Sequence, residues 1–318
     1  MGHVILRRVV QAIPTLLFLT MFSFGLMHVV PGGPAVIMLG NNATPQLIAE
    51  INRSLGLDKP LYLQYLIWMG QLLHGNLGYA YTYHQSVTSL ILENLPRTLI
   101  LVLVAIVISH LVSIWLGVVQ AVHQSSPLDH AITTTTYIFY CMPVFWLGLL
   151  MVAVFAVNLR WFPAGGVTNP LLTQPSLGSY IYHMVLPVIV LVIGTVAGWT
   201  RYLRGSMVDT LSQDYIRTAR AKGLAEPRVL YVHALRNSVI PLITLVGLSL
   251  PGLFSGALII EMIFNYPGMG LLFWDSAQQR DYPVLMAIVL MVGVLTIVGN
   301  LLADILYAIV DPRIRHSG

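Results

Sequence analysis

The chain has 318 residues, of which 57% are hydrophobic and only 9% are charged, and its mean hydropathy is +0.79. Because ordinary soluble domains carry about 25% charged residues, this composition argues against a water-soluble globule and indicates a membrane protein. The net charge of +4 does not reside in basic patches with interleaved aromatics, so nucleic acid is not expected as a partner. A single cysteine, Cys141, excludes an internal disulfide framework and a cysteine-rich metal site.

Six segments are long and apolar enough, or nearly so, to cross a bilayer, which takes about 20 residues. They are Val9–Val30, Thr98–Ala121, Thr133–Val157, His183–Trp199, Ser238–Ile260 and Pro283–Val310. None contains a lysine or an arginine, and the fourth is the shortest. We therefore predict an all-α membrane protein with six transmembrane helices.

The distribution of basic residues predicts the orientation of these spans, because cytoplasmic loops retain lysine and arginine. Six spans place both termini, the 122–132 loop and the 200–237 loop on one side of the membrane. That side carries eleven of the sixteen basic residues, and the other side carries five. We therefore predict a multi-pass protein with both termini in the cytoplasm.

The segment between the first two spans is predicted to form an ordered extracellular subdomain over residues 31–97. It has an amphipathic helical pattern over Gln46–Leu55 and an aromatic, helix-like run over Leu61–Leu73. It is too polar to span a membrane, and ordered loops of this length are usually lids or binding loops. The chain is thus divided into residues 1–30 with the first span, the subdomain 31–97, and a five-helix core 98–318.

Charge is concentrated in the loop between the fourth and fifth spans, centred on Asp214–Pro241. This stretch contains five basic residues, Arg217, Arg220, Lys222, Arg228 and Arg236. Ile216–Lys222 predicts a short helix that ends at Gly223, since glycine readily adopts the left-handed C-cap conformation. Glu226-Pro227 predicts the start of a second helix. The pattern alone leaves two interpretations open: a docking surface for a soluble partner, or an interfacial hairpin whose arginines bind anionic lipid.

The loop resembles the EAA loop of ABC importer permeases, a pattern of Glu-Ala-Ala, three residues and a glycine, with I-x-L-P after nine more. Here Arg217-Thr218-Ala219 stands in the EAA place, Gly223 is the glycine, and His233–Arg236 stands where I-x-L-P is expected. The string DYIRTARAKGL, Asp214–Leu224, is closer to the variant found in dipeptide, oligopeptide and nickel-type permeases. Because Arg217 replaces the glutamate, the salt bridge that this glutamate makes with an ATPase is not carried over.

Motifs along almost the whole chain extend the same resemblance. In chain order they are Pro31–Pro34 (P-G-D-P in the family, with Gly33 for the acid), Leu55–Pro60 (LGLD-x-P), Gly75–Gly78 (G-D-L-G, with Asn76 for the acid), Pro143–Gly148 (P-[VI]-F-W-x-G), Glu261–Gly270 (E-x-x-F-x-[WY]-P-G-x-G), Arg280–Pro283 (RDYP) and Asp311–His316 (DPRIRH). Each motif alone is weak, but the ordered set is highly specific.

The resemblance implies a type I ABC importer permease fold in a bacterial or archaeal plasma membrane. Two homologous permeases enclose the pathway in such importers, two cytoplasmic ATPase subunits drive it, and an extracytoplasmic binding protein delivers the substrate. The implied coupling residues are Tyr215, Arg217, Thr218, Ala219, Arg220, Lys222, Gly223 and Leu224. This chain has no G-x-x-x-x-G-K-[ST] motif, so ATP and Mg²⁺ are expected on the ATPases. The chain is expected to be a pore-forming subunit without catalysis or a cofactor of its own.

The expected cargo is a short peptide, with nickel complexes, glutathione or another small solute as open alternatives, because the binding protein largely sets specificity. A rival of a different class is a secondary transporter or channel working alone, which would need buried charges along its route. Such folds commonly contain an inverted repeat, and none is apparent. Histidines without i,i+3 or i,i+4 spacing predict no metal site.

Residues of the fifth span are possible pathway-lining groups, namely Thr244, Ser249, Gly252 and Ser255. Small residues also mark helix–helix interfaces in lipid, and packing is the favoured interpretation.

Two acids stand out. Glu261 is predicted to clasp the Asn265–Gly270 turn, with ligand contact as the alternative. Asp304, inside the sixth span, is predicted to be structural rather than part of a proton relay.

Overall fold

A computed structural model of the chain describes residues 2–29, 33–40, 43–54, 56–169, 176–239, 242, 245 and 257–310. Its helices are α1 (Gly2–Val29), α2 (Gly33–Leu39), α3 (Pro45–Ser54), α4 (Leu61–Leu73), α5 (Val87–Val122), α6 (Pro127–Cys141), α7 (Val144–Met151), α8 (Leu177–Leu211), α9 (Asp214–Ala221), α10 (Glu226–Arg228), α11 (Leu235–Ser238), α12 (residues 257–263), α13 (Met269–Gln279) and α14 (Tyr282–Val310). Strands β1 (Tyr79–Ala80) and β2 (Gln85–Ser86) form a short antiparallel hairpin. Two π-helical turns, Val152–Asn158 and Val229–Ala234, follow α7 and α10. The predicted all-helical class is confirmed.

Among the described residues, four helices are long and apolar enough to cross a membrane: α1, α5, α8 and α14. A fifth candidate consists of α6 and α7 taken together as one bent span. The predicted fifth span, Ser238–Ile260, falls largely outside the described residues. The count of six spans therefore stays a prediction.

The third predicted span, Thr133–Val157, is sharply bent. The helix axis bends by 100° between its two halves, α6 and the helix that starts at Val144. Pro143 has no N–H for the helical hydrogen bonds, and its ring disfavours the α conformation at the residue before it. Met142 accordingly has a ψ of 127° and ends α6. The sequence predicted this span but not its bend.

The described helices group into two compact units, of which one comprises residues 2–98 and 267–297. Both helices predicted within 31–97 are present, as α3 and α4. The aromatic residues of α4 pack against α1, with the Phe24 ring 5.4 Å from Tyr65 and 5.9 Å from Trp68. A separate apolar core joins β1 and α5 to α13 and α14, and includes Ala80, Val87, Leu90, Met269, Leu272, Val284 and Ala287.

A buried carboxylate connects the hairpin of this unit to the start of α14. Asp281 is fully buried, and its Oδ2 accepts a hydrogen bond of 2.8 Å from the backbone N–H of Thr82. Burial raises the pKa of the Asp281 carboxyl above its ordinary value. The same environment, chiefly burial and then the Asp281 charge, raises the pKa of Tyr81 to about 12.

The second unit comprises residues 99–266 and 298–310. One of its apolar cores surrounds Trp199, Leu203 and Met207 of α8. The helices α5 and α8 approach closely there, since a Cβ on Gly117 would lie 2.9 Å from Leu203. The other core lies around α7 and the N-terminal half of α8, and includes Leu101, Leu147, Leu186, Leu191, Ile260 and Phe264.

Candidate functional site

The charged loop folds as two short arms, which together we call the elbow, residues Asp214–Ser238. Its first arm is α9, eight residues long. Ile216 and Ala219 are three residues apart and therefore on one face of the helix. Both are buried, at 0% and 8% exposure, in the apolar core around Leu203 of α8. This pair fixes α9 against the long helix that precedes it and turns its polar residues outward.

The first arm ends in the glycine turn that the sequence predicts. Gly223 has a φ of +76°, and its N–H donates to the carbonyl of Arg220 at 2.9 Å. The N–H of Leu224 donates to the carbonyl of Ala219 at 3.4 Å. These two bonds form a Schellman motif, which favours glycine at the left-handed position. A Cβ on Gly223 would meet nothing within 4 Å, so the turn projects into open space.

The second arm runs from α10 through the π-helical turn to α11. It is anchored by two residues of the same core, Val229 and Ala234, both with 0% exposure. At its end, the buried Ser238 hydroxyl lies 3.0 Å from Thr210 Oγ1 of α8. Both arms are therefore attached to α8, so the elbow and the end of that helix form one packed body.

Two polar links join the arms to each other. Arg220 donates two hydrogen bonds to the Glu226 carboxylate, at 2.6 Å and 3.2 Å, and these bonds lower the pKa of Glu226 and raise that of Arg220. The Asn237 amide donates to the Tyr215 hydroxyl at 2.9 Å. These links connect the arms on the solvent-facing side, where an exposed ion pair contributes little to stability.

The outward surface of the elbow is basic and largely uncompensated. The Arg217 side chain is 73% exposed, and its one acidic neighbour, Asp214 at 3.4 Å, is itself 95% exposed. At this exposure such a pair is weak and screened by salt. The predicted coupling residues divide by burial: Tyr215, Arg217, Thr218, Arg220, Lys222 and Gly223 are exposed, Ala219 is buried and Leu224 is half-buried.

The other predicted site residues lie apart from the elbow or outside the described residues. The Glu261 side chain is fully buried in α12, and its carbonyl accepts a hydrogen bond of 2.8 Å from the N–H of Tyr266. Its roles as a clasp or as a ligand contact stay predictions. The side chain of Asp304, and all of Thr244, Ser249, Gly252 and Ser255, fall outside the described set.

One ion pair was missed from the sequence, between Asp129 at the start of α6 and Arg204 of α8. The Arg204 guanidinium donates to both Asp129 oxygens, at 2.8 Å and 2.6 Å. The Asp129 side chain is 2% exposed, and it also accepts bonds from the Ser125 N–H and the Gln120 amide. A local signal existed, because Ser126-x-x-Asp129 matches the pattern [ST]-x-x-[DE] of a helix start, and Ser126 indeed caps α6. Its partner, 75 positions further along the chain, had no local signal.

Comparison with known proteins finds relatives that match this chain over almost its whole length. Residues 113–316 match the family described as "Binding-protein-dependent transport system inner membrane component", and residues 1–102 match its N-terminal counterpart. The chain is 45% identical over 317 residues to the oligopeptide transport system permease protein AppB of Bacillus subtilis, with 99% of this chain and 100% of that protein covered. It is 40% identical to the di/tripeptide transport system permease protein DppB of Pseudomonas aeruginosa and 38% identical to the dipeptide transport system permease protein DppB of Escherichia coli K12, each with 98% of both chains covered.

A solved structure shares the fold. A chain of the inward-facing MetNI methionine ABC transporter superposes with a TM-score of 0.58 at 14% identity, covering 70% of this chain and 96% of that one. Identity at this level supports the fold alone, whereas the family matches span nearly the whole sequence. The resemblance read from the motifs is confirmed. The chain belongs to the family of inner-membrane components of binding-protein-dependent transport systems, and is thus a multi-pass ABC importer permease.

Proposed function

We propose that this chain forms half of the membrane pathway of an ATP-driven importer for short peptides delivered by an extracytoplasmic binding protein. The cargo is supported by the names of three relatives, which are 38–45% identical over almost their whole length. A second homologous permease completes the pathway. Two cytoplasmic ATPase subunits, which bind the ATP and Mg²⁺, supply the energy.

The proposed orientation has six spans, both termini and the elbow in the cytoplasm, and residues 31–97 outside. It is supported by the eleven-to-five division of basic residues between the two sides. In this arrangement the elbow is presented to the compartment in which ATP is hydrolysed.

The observation that carries the proposal is the construction of the elbow. Ile216 and Val229 anchor one arm each in the core around α8. A rigid knob of this kind transmits a displacement of a docked partner to α8 as a body, one of the ordinary forms of domain movement. ATPase closure would thereby reach the membrane helices on either side of the elbow.

The surface of the elbow also indicates the chemistry of its partner. Arg217 stands where the wider family has a glutamate, and Lys222, Arg228 and Arg236 are exposed beside it. A cleft that receives this surface should present acidic groups, since complementary charge favours association and fixes register. Docking should therefore weaken as salt concentration rises.

The proposal is tested by Gly223→Phe in the complete importer, reconstituted in proteoliposomes with its ATPases and binding protein. The matched control is Gly75→Phe. Gly75 has a φ of +78°, ends α4 with the same two backbone bonds, and also has open space around it. Both variants therefore carry the same backbone strain, and only one alters the elbow.

We expect Gly223→Phe to hydrolyse ATP with little peptide uptake, and Gly75→Phe to stay coupled. A clash of about 1.4 kcal/mol in the docked state already lowers its population about tenfold. Coupled uptake by Gly223→Phe would contradict the docking role. Uptake of nickel complexes or glutathione, but not of peptides, by the unmodified importer would contradict the cargo alone.

A further inference from the structure

A cavity of about 220 Å³, with polar and apolar groups in its walls, lies between α6, α8 and the C-terminal end of α5. Its walls include Thr133, Tyr137 and Tyr140 of α6 and Arg201 and Arg204 of α8. A cavity needs only roughly 10–15 Å³ of such volume to hold one water molecule, so this cavity is much larger than a single water requires. That volume accommodates a phosphate group with its first substituents.

The charge balance of this cavity is positive. The Asp129 carboxylate, which also lines the cavity, already accepts hydrogen bonds from two Arg204 nitrogens, the Ser125 N–H and Gln120, so it is neutralised. No carboxylate pairs with Arg201 within the described part of the chain. Arg201 therefore provides the cavity with one uncompensated cation.

Aromatic rings hold the Arg201 side chain in place. Its guanidinium carbon lies 5.8 Å from the centre of the Tyr140 ring and 5.6 Å from that of Tyr202, within the range of cation–π attraction. The Tyr137 side chain is a further hydrogen-bonding neighbour. These contacts orient the exposed Arg201 group without neutralising its charge, which suits a site that binds an anion.

Hydroxyl donors complete the set around Arg201. The Thr133 hydroxyl oxygen accepts a bond of 2.8 Å from the Gln120 amide, which leaves its own proton available to the cavity. The planar guanidinium of arginine matches phosphate geometry through paired N–H donors. A guanidinium with neighbouring hydroxyls is the donor set that a tetrahedral oxyanion requires.

The position of the cavity along α8 points to the source of that anion. Arg201 follows directly on the apolar stretch that ends with Trp199 and Thr200, so it lies at the boundary between lipid and water. Tyr137, Tyr140 and Tyr202 are about half exposed, and tyrosines of this kind are enriched at the membrane interface. Basic pockets between membrane helices on the cytoplasmic side bind anionic headgroups.

We propose that this cavity binds the phosphate group of an anionic phospholipid of the cytoplasmic leaflet; the leaflet is taken from the orientation in the proposed function. The headgroup accepts hydrogen bonds from Arg201, Tyr137 and Thr133. Its acyl chains extend along the exposed tyrosines into the bilayer. The bound lipid joins α6 to α8 beside the Asp129–Arg204 pair.

The test uses the complete importer in nanodiscs that contain phosphatidylglycerol and phosphatidylcholine, with the lipids retained after delipidation counted by native mass spectrometry. Both lipids carry a phosphate, and only phosphatidylglycerol is anionic. The variants are Arg201→Gln, which removes the charge, and Arg201→Lys, which keeps the charge but loses the paired N–H donors. Arg53→Gln removes an exposed arginine of α3, outside both the cavity and the elbow, and controls for net charge.

We expect selective retention of phosphatidylglycerol by the unmodified importer and by Arg53→Gln. Arg201→Gln should lower that retention about tenfold, roughly the contribution of one charge-assisted hydrogen bond, and Arg201→Lys should lower it less. The proposal is overturned if Arg201→Lys retains as much phosphatidylglycerol as the unmodified importer and Arg201→Gln either does the same or fails to assemble. Equal retention of both lipids would overturn it as well. Displacement of the lipid by soluble glycerol 3-phosphate at equal concentration would overturn the lipid source.

Peptide uptake in the same preparation separates this proposal from the proposed function. Normal uptake without phosphatidylglycerol selectivity contradicts the lipid site alone. Selective lipid retention without peptide uptake supports the lipid site and contradicts only the assigned cargo.

Discussion

Two arginine–carboxylate pairs in the same unit have the same shortest distance, 2.6 Å, and very different surroundings. Asp129, which pairs with Arg204 between α6 and α8, has a side chain that is 2% exposed. Arg220 and Glu226, which pair across the elbow, are 44% and 52% exposed. Breaking a buried pair leaves an uncompensated charge at a cost of several kcal/mol, whereas an exposed pair contributes little. The distance alone therefore does not say which pair holds the molecule together.

The difference shows how the two regions divide their tasks. The helix pair around Asp129 uses its charges internally. The elbow depends on buried aliphatic groups such as Ile216 and Val229, and three of its exposed basic residues form no ion pair among the described residues, namely Lys222, Arg228 and Arg236. A docking surface has to be attached firmly and still present unpaired groups, and the elbow satisfies both conditions.

Asp129→Ala should give the largest loss of stability. It removes the acceptor for Arg204, Gln120 and the Ser125 N–H. We expect the free energy of unfolding to fall by roughly 3 kcal/mol, the low end for breaking a buried pair, because the Arg204 side chain is 31% exposed. Chemical denaturation in mixed micelles measures the change. Asp209→Ala, an exposed aspartate on the same α8, is the control and should stay within about 0.5 kcal/mol of the unmodified protein. Equal effects of the two substitutions would show that the buried pair is not structural.

Ile216→Ala should give the next largest loss and should act on the elbow. The side chain is fully buried, and truncation of a core isoleucine lowers the free energy of unfolding by about 2 kcal/mol at the low end of the usual range. The low end is expected because a short surface helix can shift to fill part of the space that the truncation leaves. The exposed Val232→Ala, in the second arm, is the control, and the same denaturation experiment compares the two. An Ile216→Ala variant as stable as Val232→Ala would mean that α9 is not anchored through this face.

Glu226→Gln should have the smallest effect, without detectable change in unfolding at neutral pH. Arg220 lowers the pKa of Glu226 in the folded state. The pair therefore stabilises the folded protein at pH values above the pKa that Glu226 has in the unfolded chain. This contribution is lost as the pH falls through the folded pKa. Unfolding of the unmodified protein and of Glu226→Gln, compared from neutral to acidic pH at low and high salt, measures it. A large loss at neutral pH and high salt would contradict the comparison.

The elbow was predictable because its signals are local. Gly223 after a basic helix, and Glu226-Pro227 before the next one, each specify a backbone conformation within a few residues, and the predicted helices are present as α9 and α10. The amphipathic and aromatic runs that became α3 and α4 are local signals of the same kind. Local chemistry fixed these boundaries to within two residues.

Contacts between distant parts of the chain were not predictable in this way. Asp129 and Arg204 are separated by 75 positions, and no pattern in one sequence pairs a particular acid with a particular arginine. The 100° bend between α6 and α7 had a visible cause in Pro143, but proline in a membrane helix is also compatible with a mild kink. Its angle depends on packing that only the folded chain determines.

The central claim is that the elbow docks on an ATPase, and site-directed cross-linking tests it most directly. Cys141 is the only cysteine, so Cys141→Ser provides a cysteine-free background in which exposed Thr218→Cys in α9 is compared with exposed Thr44→Cys before α3. With a benzophenone-maleimide attached to the introduced thiol and photoactivated in inverted membrane vesicles of the complete importer, Thr218→Cys should give a covalent product with the ATPase subunit by insertion of the benzophenone into a nearby C–H bond, and Thr44→Cys should give none. Absence of that product, or labelling of Thr218→Cys by an impermeant maleimide added outside intact cells, would contradict the claim.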